Sequence, residues 1–226
     1  MDAQVMRDFV YGLFVLTGGH DGKNSGCIIN TAIQASENPD IITVSVSKDS
    51  YTRELIQQSR KFNISILDEK APFDLFKHFG FQSGRTFDKF GSYEHKAVSE
   101  NGLYYVTEGT NAFISCEVDQ EIDLGSHVMF VAYVTEAKTI SDVPSASYSY
   151  YHAHIKPKFE DKKTTTGKKG WRCVICGYIY DQPDLPADYI CPWCKHPASD
   201  FEEIDLKKEK KEAFKPLLPA REPLRA

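Results

Sequence analysis

The sequence predicts a mainly β fold with a few helices, in which a β-barrel domain precedes a small four-cysteine module. Three observations carry that expectation. Apolar and polar residues alternate in several short runs, most clearly over 41–47, where Ile42, Val44 and Val46 share one face and Thr43, Ser45 and Ser47 the other. Many such runs follow one another with only two or three helical stretches between them, the pattern of a β-barrel domain decorated by helices. Four of the six cysteines fall in one short segment, as Cys173-Val-Ile-Cys176 and Cys191-Pro-Trp-Cys194.

The elements follow in order. Residues 1–10 suit a short helix with Val5, Met6, Phe9 and Val10 on one face, and 11–17 is apolar and β-leaning. The polar, glycine-containing stretch 18–25 reads as a hairpin turn, and 26–36 as the returning strand. Glu37-Asn-Pro-Asp40 is a second turn, because proline and Asn/Asp favour one, and 41–47 is a half-buried strand. Asp49 and Ser50 cap a helix over 51–60, with Leu55 and Ile56 toward the core. A strand over 62–67 and a short helix over 72–79 follow, the latter opening on a proline at a favoured first-turn position. Strands are expected at 103–106, 111–122 and 127–137, the last two joined by Asp123-Leu-Gly-Ser126. Residues 141–151 are small, polar and tyrosine-rich and receive no element. The segment 156–170 lacks periodicity and apolar residues and reads as a flexible linker. The chain therefore divides into a domain at 1–156, a linker at 157–169, a module at 170–205 and a tail at 206–226. The stretch 205–214 is charged and helix-leaning; Pro216, Pro219 and Pro223 oppose a continuous helix beyond it.

A formal net charge of -5 in 226 residues gives no electrostatic case for nucleic acid. No apolar run approaches the roughly 18 residues needed to span a membrane, and the N-terminus lacks the apolar core of a secretory signal. Paired CxxC knuckles with two isolated cysteines, Cys27 and Cys116, suit a reducing compartment, so a cytoplasmic protein is expected. Cys27 and Cys116 sit within predicted strands and read as small buried hydrophobes rather than a redox pair.

Four thiolates from Cys173, Cys176, Cys191 and Cys194 make a tetrahedral donor set that serves zinc or iron equally well on spacing alone. The surroundings, Trp171-Arg-Cys-Val-Ile-Cys-Gly-Tyr-Ile-Tyr-Asp181 and Leu185-Pro-Ala-Asp-Tyr-Ile-Cys-Pro-Trp-Cys194 followed by Asp200-Phe201, resemble a rubredoxin over roughly 170–204. The resemblance implies one iron held by the four cysteines above an aromatic core of Trp171, Tyr178, Tyr180, Trp193 and Phe201. The loop between the knuckles is shorter than in a free-standing rubredoxin. Lys195 stands where the family has glycine, whereas Gly177 keeps the residue that tolerates φ > 0.

Several segments of the first domain resemble a flavin reductase of the FMN-binding split-barrel type, over roughly 4–155. In Gly26-Cys-Ile-Ile-Asn30-Thr31-Ala32-Ile-Gln34-Ala-Ser36, the resemblance implies flavin contacts from Asn30, Thr31, Ala32, Gln34 and Ser36. In Val46-Ser47-Lys48-Asp-Ser50-Tyr51-Thr52 it implies that Ser47, Lys48 and Thr52 hold the FMN phosphate, and a helix start is a natural seat for an anion. In Ser83-Gly84-Arg85-Thr-Phe-Asp88-Lys89-Phe90 it implies that Ser83, Lys89 and Phe90 complete the pocket. In Gly125-Ser126-His127 the family has Gly-Asp-His; Ser126 replaces the acid, so His127 is expected beside the nicotinamide without a fixed partner. No GxGxxG fingerprint is present.

The two halves together resemble the high-molecular-weight rubredoxins. That resemblance implies an NAD(P)H-dependent oxidoreductase with bound FMN and one iron, a cytoplasmic homodimer that hands electrons to a flavodiiron protein reducing O2 or NO. NADH and NADPH are equally compatible with the sequence. Two further readings stay open at this point: a reductase that releases reduced FMN to a monooxygenase, and a non-enzymatic interaction module with zinc in the four-cysteine site.

Overall fold

The computed structural model describes residues 9–157, 169–174, 178–192 and 196–205. It divides into two compact units, Met1–Lys158 and Phe159–Ala226. The expected helix at 1–10 falls almost wholly outside the described residues, as do most of the expected linker and the stretch 206–226.

The first unit is built on a seven-stranded antiparallel sheet. Its strands are β1 (Phe14–His20), β2 (Lys23–Ile29), β3 (Ile33–Glu37), β4 (Asp40–Ser47), β5 (Lys61–Leu67), and two long strands numbered below as β8 (Thr110–Asp123) and β9 (His127–Thr139). The spatial order is β2-β1-β5-β8-β9-β4-β3. The two outermost strands, β2 and β3, are neighbours in the chain, joined by residues 30–32 alone. Such a link spans at most roughly 14 Å, so the sheet must curl until its margins meet at one corner. Among the described residues no ladder joins β2 to β3. The result is a barrel split along one seam.

The hairpin turn expected over 18–25 is only two residues long, because β1 continues to His20 and β2 begins at Lys23. Asp21 and Gly22 both take positive φ, 48° and 75°, the primed turn whose twist matches that of paired strands. The expected strand over 26–36 is broken at 30–32, where the chain crosses the seam. β3 and β4 form a hairpin around a cis Asn38-Pro39 bond.

Helix α1 (Tyr51–Ser59) buries Thr52, Leu55 and Ile56 against the sheet and ends at Arg60, whose φ of 60° closes it in the left-handed region. Helix α2 (Phe73–Gly80) starts after Pro72 and buries Leu75, Phe76 and Phe79. A small two-stranded sheet pairs β6 (Lys96–Val98), which the sequence did not reveal, with β7 (Tyr104–Val106). Residues 148–155 are helical: α3 (Tyr148–Tyr150) runs into a π turn, Tyr151–Ile155, that seats Tyr151 against Phe76.

Two apolar cores share the sheet. Leu16, Val44, Val46, Phe62, Ile64 and Phe130 fill the barrel. Val15, Leu67, Leu75, Phe76, Phe79 and Phe90 fill the space under α2. β1 thus places Leu16 on one side and Val15 on the other, and both are fully buried. A strand covered on both faces loses its polar alternation. Cys116 belongs to the barrel core and Cys27 packs against it; neither forms a disulfide. Burial pushes the Cys116 thiol up to about 12. Among the described residues no helix is long and apolar enough to cross a membrane.

The second unit holds a three-stranded sheet in the order β11-β10-β12, with β10 at Lys169–Cys173, β11 at Ile179–Tyr180 and β12 at Phe201–Asp205. Lys169, expected in the linker, is the first residue of β10.

Candidate functional site

β4 ends at Ser47 and α1 begins four residues later. Ser50 stands at the N-cap in an extended conformation, yet its hydroxyl makes no capping bond. It donates to Cys27 Sγ instead, at 3.7 Å. The first N–H groups of α1 therefore lack a side-chain acceptor at the positive end of the helix dipole, an arrangement suited to an anion. Thr52, the second residue of α1, is buried, and its Oγ1 donates to Ser25 Oγ of β2 at 3.2 Å. The 83–90 loop closes over this point. A Cβ on Gly84 would lie 2.1 Å from Ser25 Oγ and 3.1 Å from the Tyr51 ring, so the close approach requires glycine. Arg85 fastens the loop to α1: Nη1 donates to Glu54 Oε2 at 2.9 Å, Nη2 to Glu54 Oε1, and the guanidinium lies 5.4 Å from the Tyr51 ring. That pairing holds the Glu54 carboxyl below the usual carboxylate range.

Of the residues implied to contact flavin, one group converges here. Ser47 Oγ accepts from Asp49 N–H at 3.3 Å. Thr31 Oγ1 donates to Ser45 O at 2.6 Å, which ties the seam-crossing link, with Asn30 and Ala32, to β4. His127 is paired directly opposite Ser47 in the β4–β9 ladder, so the two side chains share a face. Gln34 and Ser36 lie farther away. Gln34 Nε2 bonds Asp40 Oδ1 within the β3–β4 hairpin, and Ser36 stands opposite Ile41. Six residues of β4 separate that point from Ser47, roughly 20 Å at the usual strand rise. The candidates thus form a strip along β3 and β4 that involves both sheet faces: Gln34 stands opposite Ile42, on the barrel side, and Ser36 opposite Ile41, on the Ser47 side. Beside it Ala32 and Gln34 line an apolar cavity of about 340 Å³ with Phe14, Ile42 and Ile66.

Four of these candidates have partners within the chain. The Lys48 ammonium pairs with Asp123 at 2.7 Å, which holds the Asp123 carboxyl low. His127 is not without a partner, since Ser126 Oγ lies 2.9 Å from its Nδ1. Lys89 is an interior clamp. Its ammonium donates to Gly26 O and Phe79 O, both at 2.7 Å, and burial lowers its pKa to about 8. Phe90 is likewise interior, packed between Phe79 and Tyr104. Ser83 lies at the loop start, where its Oγ accepts from Arg85 N–H at 3.3 Å. Sequence reasoning placed Ser50 at the α1 start but expected its side chain to cap the helix, which it does not; it missed Ser25 and Cys27 there, and Glu54 as the anchor of Arg85. The one available signal was that Ser25 and Cys27, two apart on a strand, share a face.

In the second unit the two knuckles are built alike. Cys173 N–H donates to Tyr178 O and Cys191 N–H to His196 O, each at 2.8 Å and each five residues ahead. Arg172 pairs with Ile179 and Ile190 with Pro197, each seven residues ahead. Both described cysteines are fully buried. Cys176, Cys194, Gly177, Trp193 and Lys195 lie outside the described residues. Two buried thiols presented by equivalent knuckles fit a soft-metal donor set completed by the second cysteine of each motif. The aromatic cluster beneath includes Tyr189, absent from the expected set: its ring lies 4.5 Å from Tyr180 and 5.5 Å from Phe201, and its hydroxyl donates to Tyr178 at 3.3 Å. Trp171 turns aside to donate Nε1–H to Pro183 O at 3.1 Å.

The family model described as flavin reductase like domain matches residues 6–158, and that described as rubrerythrin, rubredoxin-like domain matches 171–202. A high molecular weight rubredoxin of Moorella thermoacetica is 33% identical over 90% of this chain and 100% of its own length. The chain belongs to the high molecular weight rubredoxins. It is also similar, at 31% identity over 70% of this chain and 93% of the relative, to a ferric-chelate reductase (NAD(P)H) of Archaeoglobus fulgidus. Among solved structures, an NADH:FAD oxidoreductase of Streptomyces globisporus shares the fold with a TM-score of 0.58 at 22% identity, covering 65% of this chain and 86% of that one. The combination defines a flavin reductase-like oxidoreductase domain fused to a rubredoxin-like domain.

Proposed function

We propose that this chain is an NAD(P)H-dependent electron-transfer oxidoreductase, using FMN in the barrel unit and one iron in the four-cysteine unit. It delivers electrons to a redox partner, a flavodiiron protein that reduces O2 or NO. The observation that carries this reading is the occurrence, in one chain, of a flavin reductase-like unit and a four-cysteine knuckle pair. Bound FMN supplies hydride acceptance and single-electron release, and thiolate-held iron supplies one-electron transfer.

The chain's own residues bind and orient. The α1 start offers uncapped N–H donors with Ser47 and Thr52 beside them, the seat for the flavin phosphate. Lys48 holds the β8–β9 turn through Asp123, keeping His127 opposite Ser47 on the nicotinamide side. Asn30, Thr31 and Ala32 line the strip at the seam, with Gln34 and Ser36 at its far end. Cys173, Cys176, Cys191 and Cys194 hold the iron. The linker, shortened by Lys169 to 157–168, keeps the metal unit at high effective concentration near the flavin and lets it reach an outside partner. The protein works in the cytoplasm as a homodimer.

Anaerobic titration with NADH, followed by visible spectroscopy, tests the relay. Flavin bleaching followed by loss of the iron–thiolate absorption is the expected sequence. In Cys176→Ser, NADH still bleaches the flavin while transfer to an added acceptor collapses. Undiminished transfer in that variant, or protein purified with zinc and no flavin, contradicts the proposal.

A further inference from the structure

The loop over 81–91 covers one side of the α1 start, and its ends are held differently from its middle. It leaves α2 with Phe81 N–H donating to Lys77 O at 3.1 Å. Residues 83–87 fold on themselves, since Thr86 and Phe87 N–H donate to Ser83 O at 3.2 and 3.1 Å. Farther on, Asp88 accepts from the Phe90 and Gly91 N–H groups at 3.0 and 2.9 Å. His78 Nε2 lies 2.7 Å from Lys89 O, and the Lys89 ammonium is buried on Gly26 O and Phe79 O. The far end of the loop is therefore anchored in the interior.

Toward α1 the tie is of another kind. Among the described residues, the hydrogen bonds that cross from 81–91 to α1 are those of Arg85 to Glu54, backed by the guanidinium beside the Tyr51 ring. Glu54 is steadied in turn by Arg53, 3.3 Å away, which also donates to Lys48 O ahead of the helix. The Arg85 and Glu54 side chains are 47% and 30% exposed. A pair so exposed is screened by salt and costs little to break, so it can release while the interior anchors stay. While it holds, Gly84 leaves no gap above Ser25: a Cβ there would lie 2.1 Å from Ser25 Oγ, the acceptor of the Thr52 hydroxyl. A loop with fixed ends and one weak central tie works as a strap with a latch.

We infer that Glu54 and Arg85 are positioning residues whose ion pair latches the 83–90 strap over the flavin-phosphate seat and sets how fast FMN enters and leaves, a reading that rests on the proposed function only for the identity of the ligand. A relay within one chain needs its flavin retained; a reductase that gives its flavin away needs the opposite. The latch supplies retention without touching the flavin.

The test compares full-length FMN-loaded wild type with Glu54→Gln, Arg85→Gln and the double variant. Release is timed by the fluorescence that free flavin regains on dilution, and rebinding by its loss on mixing with apoprotein. Each single variant is expected to raise both rates about fivefold, the size of one well-placed exposed pair. The double variant goes no further, because the two residues act as one unit. The FMN dissociation constant changes less than either rate, and about 0.5 M salt narrows the gap between wild type and variants. Unchanged rates in Glu54→Gln, or additive effects in the double variant, overturn the inference. So does slower release in Glu54→Gln, which would mean that the freed Arg85 reaches the phosphate itself. Chymotrypsin cleavage after Phe87, which is 37% exposed on the strap, reads the latch without flavin. Apoprotein of either single variant should be cut there about fivefold faster than wild-type apoprotein, and equal cutting overturns the inference. If no form of the barrel holds FMN, the electron-transfer reading fails, while the cleavage rates still decide whether the latch exists.

Discussion

Lys89 makes the most quantitative prediction. Its ammonium sits among backbone carbonyls in the interior, 3% exposed, and among the described residues no carboxylate pairs with it. Burial therefore lowers its pKa from 10.5 to about 8, opposed in part by the nearby Cys27 thiol. Below that pH the lysine is charged in the folded and unfolded chains alike, and the cost of burying it, roughly 3 kcal/mol, is fully present. As pH rises past 8 the folded chain releases the proton first. The unfolded chain then binds more protons than the folded one, so stability climbs until the unfolded lysine also titrates. Between about pH 7 and about pH 10 the gain is roughly 2.5 kcal/mol. Lys89→Met removes the titration. It also leaves Gly26 O and Phe79 O without a donor, at about 1–3 kcal/mol each, which offsets the relief of the buried charge. The informative quantity is therefore the difference between wild type and variant, in which titrating groups that do not interact with Lys89 cancel; Cys27, which does, leaves a smaller remainder. Denaturant unfolding followed by circular dichroism at both pH values should find wild type gaining about 2.5 kcal/mol on Lys89→Met. Parallel pH profiles, or a gap that closes as pH rises, would refute the argument that burial dominates this lysine.

Gly84→Ala forces a methyl against Ser25 Oγ and the Tyr51 ring; we expect about 1–3 kcal/mol of lost stability and weaker flavin retention on gel filtration. Thr52→Val removes the bond to Ser25 without changing shape much; a loss of about 1–2 kcal/mol in chemical denaturation is expected, with a lower flavin content. Phe130→Ala empties the centre of the barrel core, where the side chain is fully buried, and should cost about 3–5 kcal/mol, read as a drop in the unfolding midpoint. His127→Ala should keep its flavin yet slow anaerobic reduction by NADH in stopped flow, because its side chain shares the Ser47 face.

The period-2 run over 41–47 was legible because β4 buries Ile42, Val44 and Val46 and leaves the intervening residues half-buried. The α1 and α2 positions were legible from their apolar spacing and from Pro72. The seam was not legible: 26–36 reads as one β-rich run, and only the sheet order reveals that the chain leaves one margin and joins the other at 30–32. The short turn at Asp21-Gly22 was hidden by its neighbours, since β1 carries Gly18 and Gly19 within the strand itself. The π turn over Tyr151–Ile155 had no signal, because its helix is too short for periodicity and is held by one buried ring. At the site, motif residues could be picked out but not their commitments. The ion pair of Lys48 with Asp123 spans 75 positions, and the clamp of Lys89 on Gly26 O spans 63. Such long-range pairings leave no local pattern for a reader of sequence to find.

The tether formed by Asn30, Thr31 and Ala32 has a mechanical consequence. It pins the two open margins of the sheet at a single corner, so any spreading of the barrel must pivot about that corner and grow with distance from it. Thr31, Ser45 and Ser47 cluster near the pivot, where opening displaces them least. Gln34 and Ser36 ride farther out on the lever. Lengthening the tether by a few residues would slacken the curl and spoil the strip's alignment without breaking any rung of the ladders.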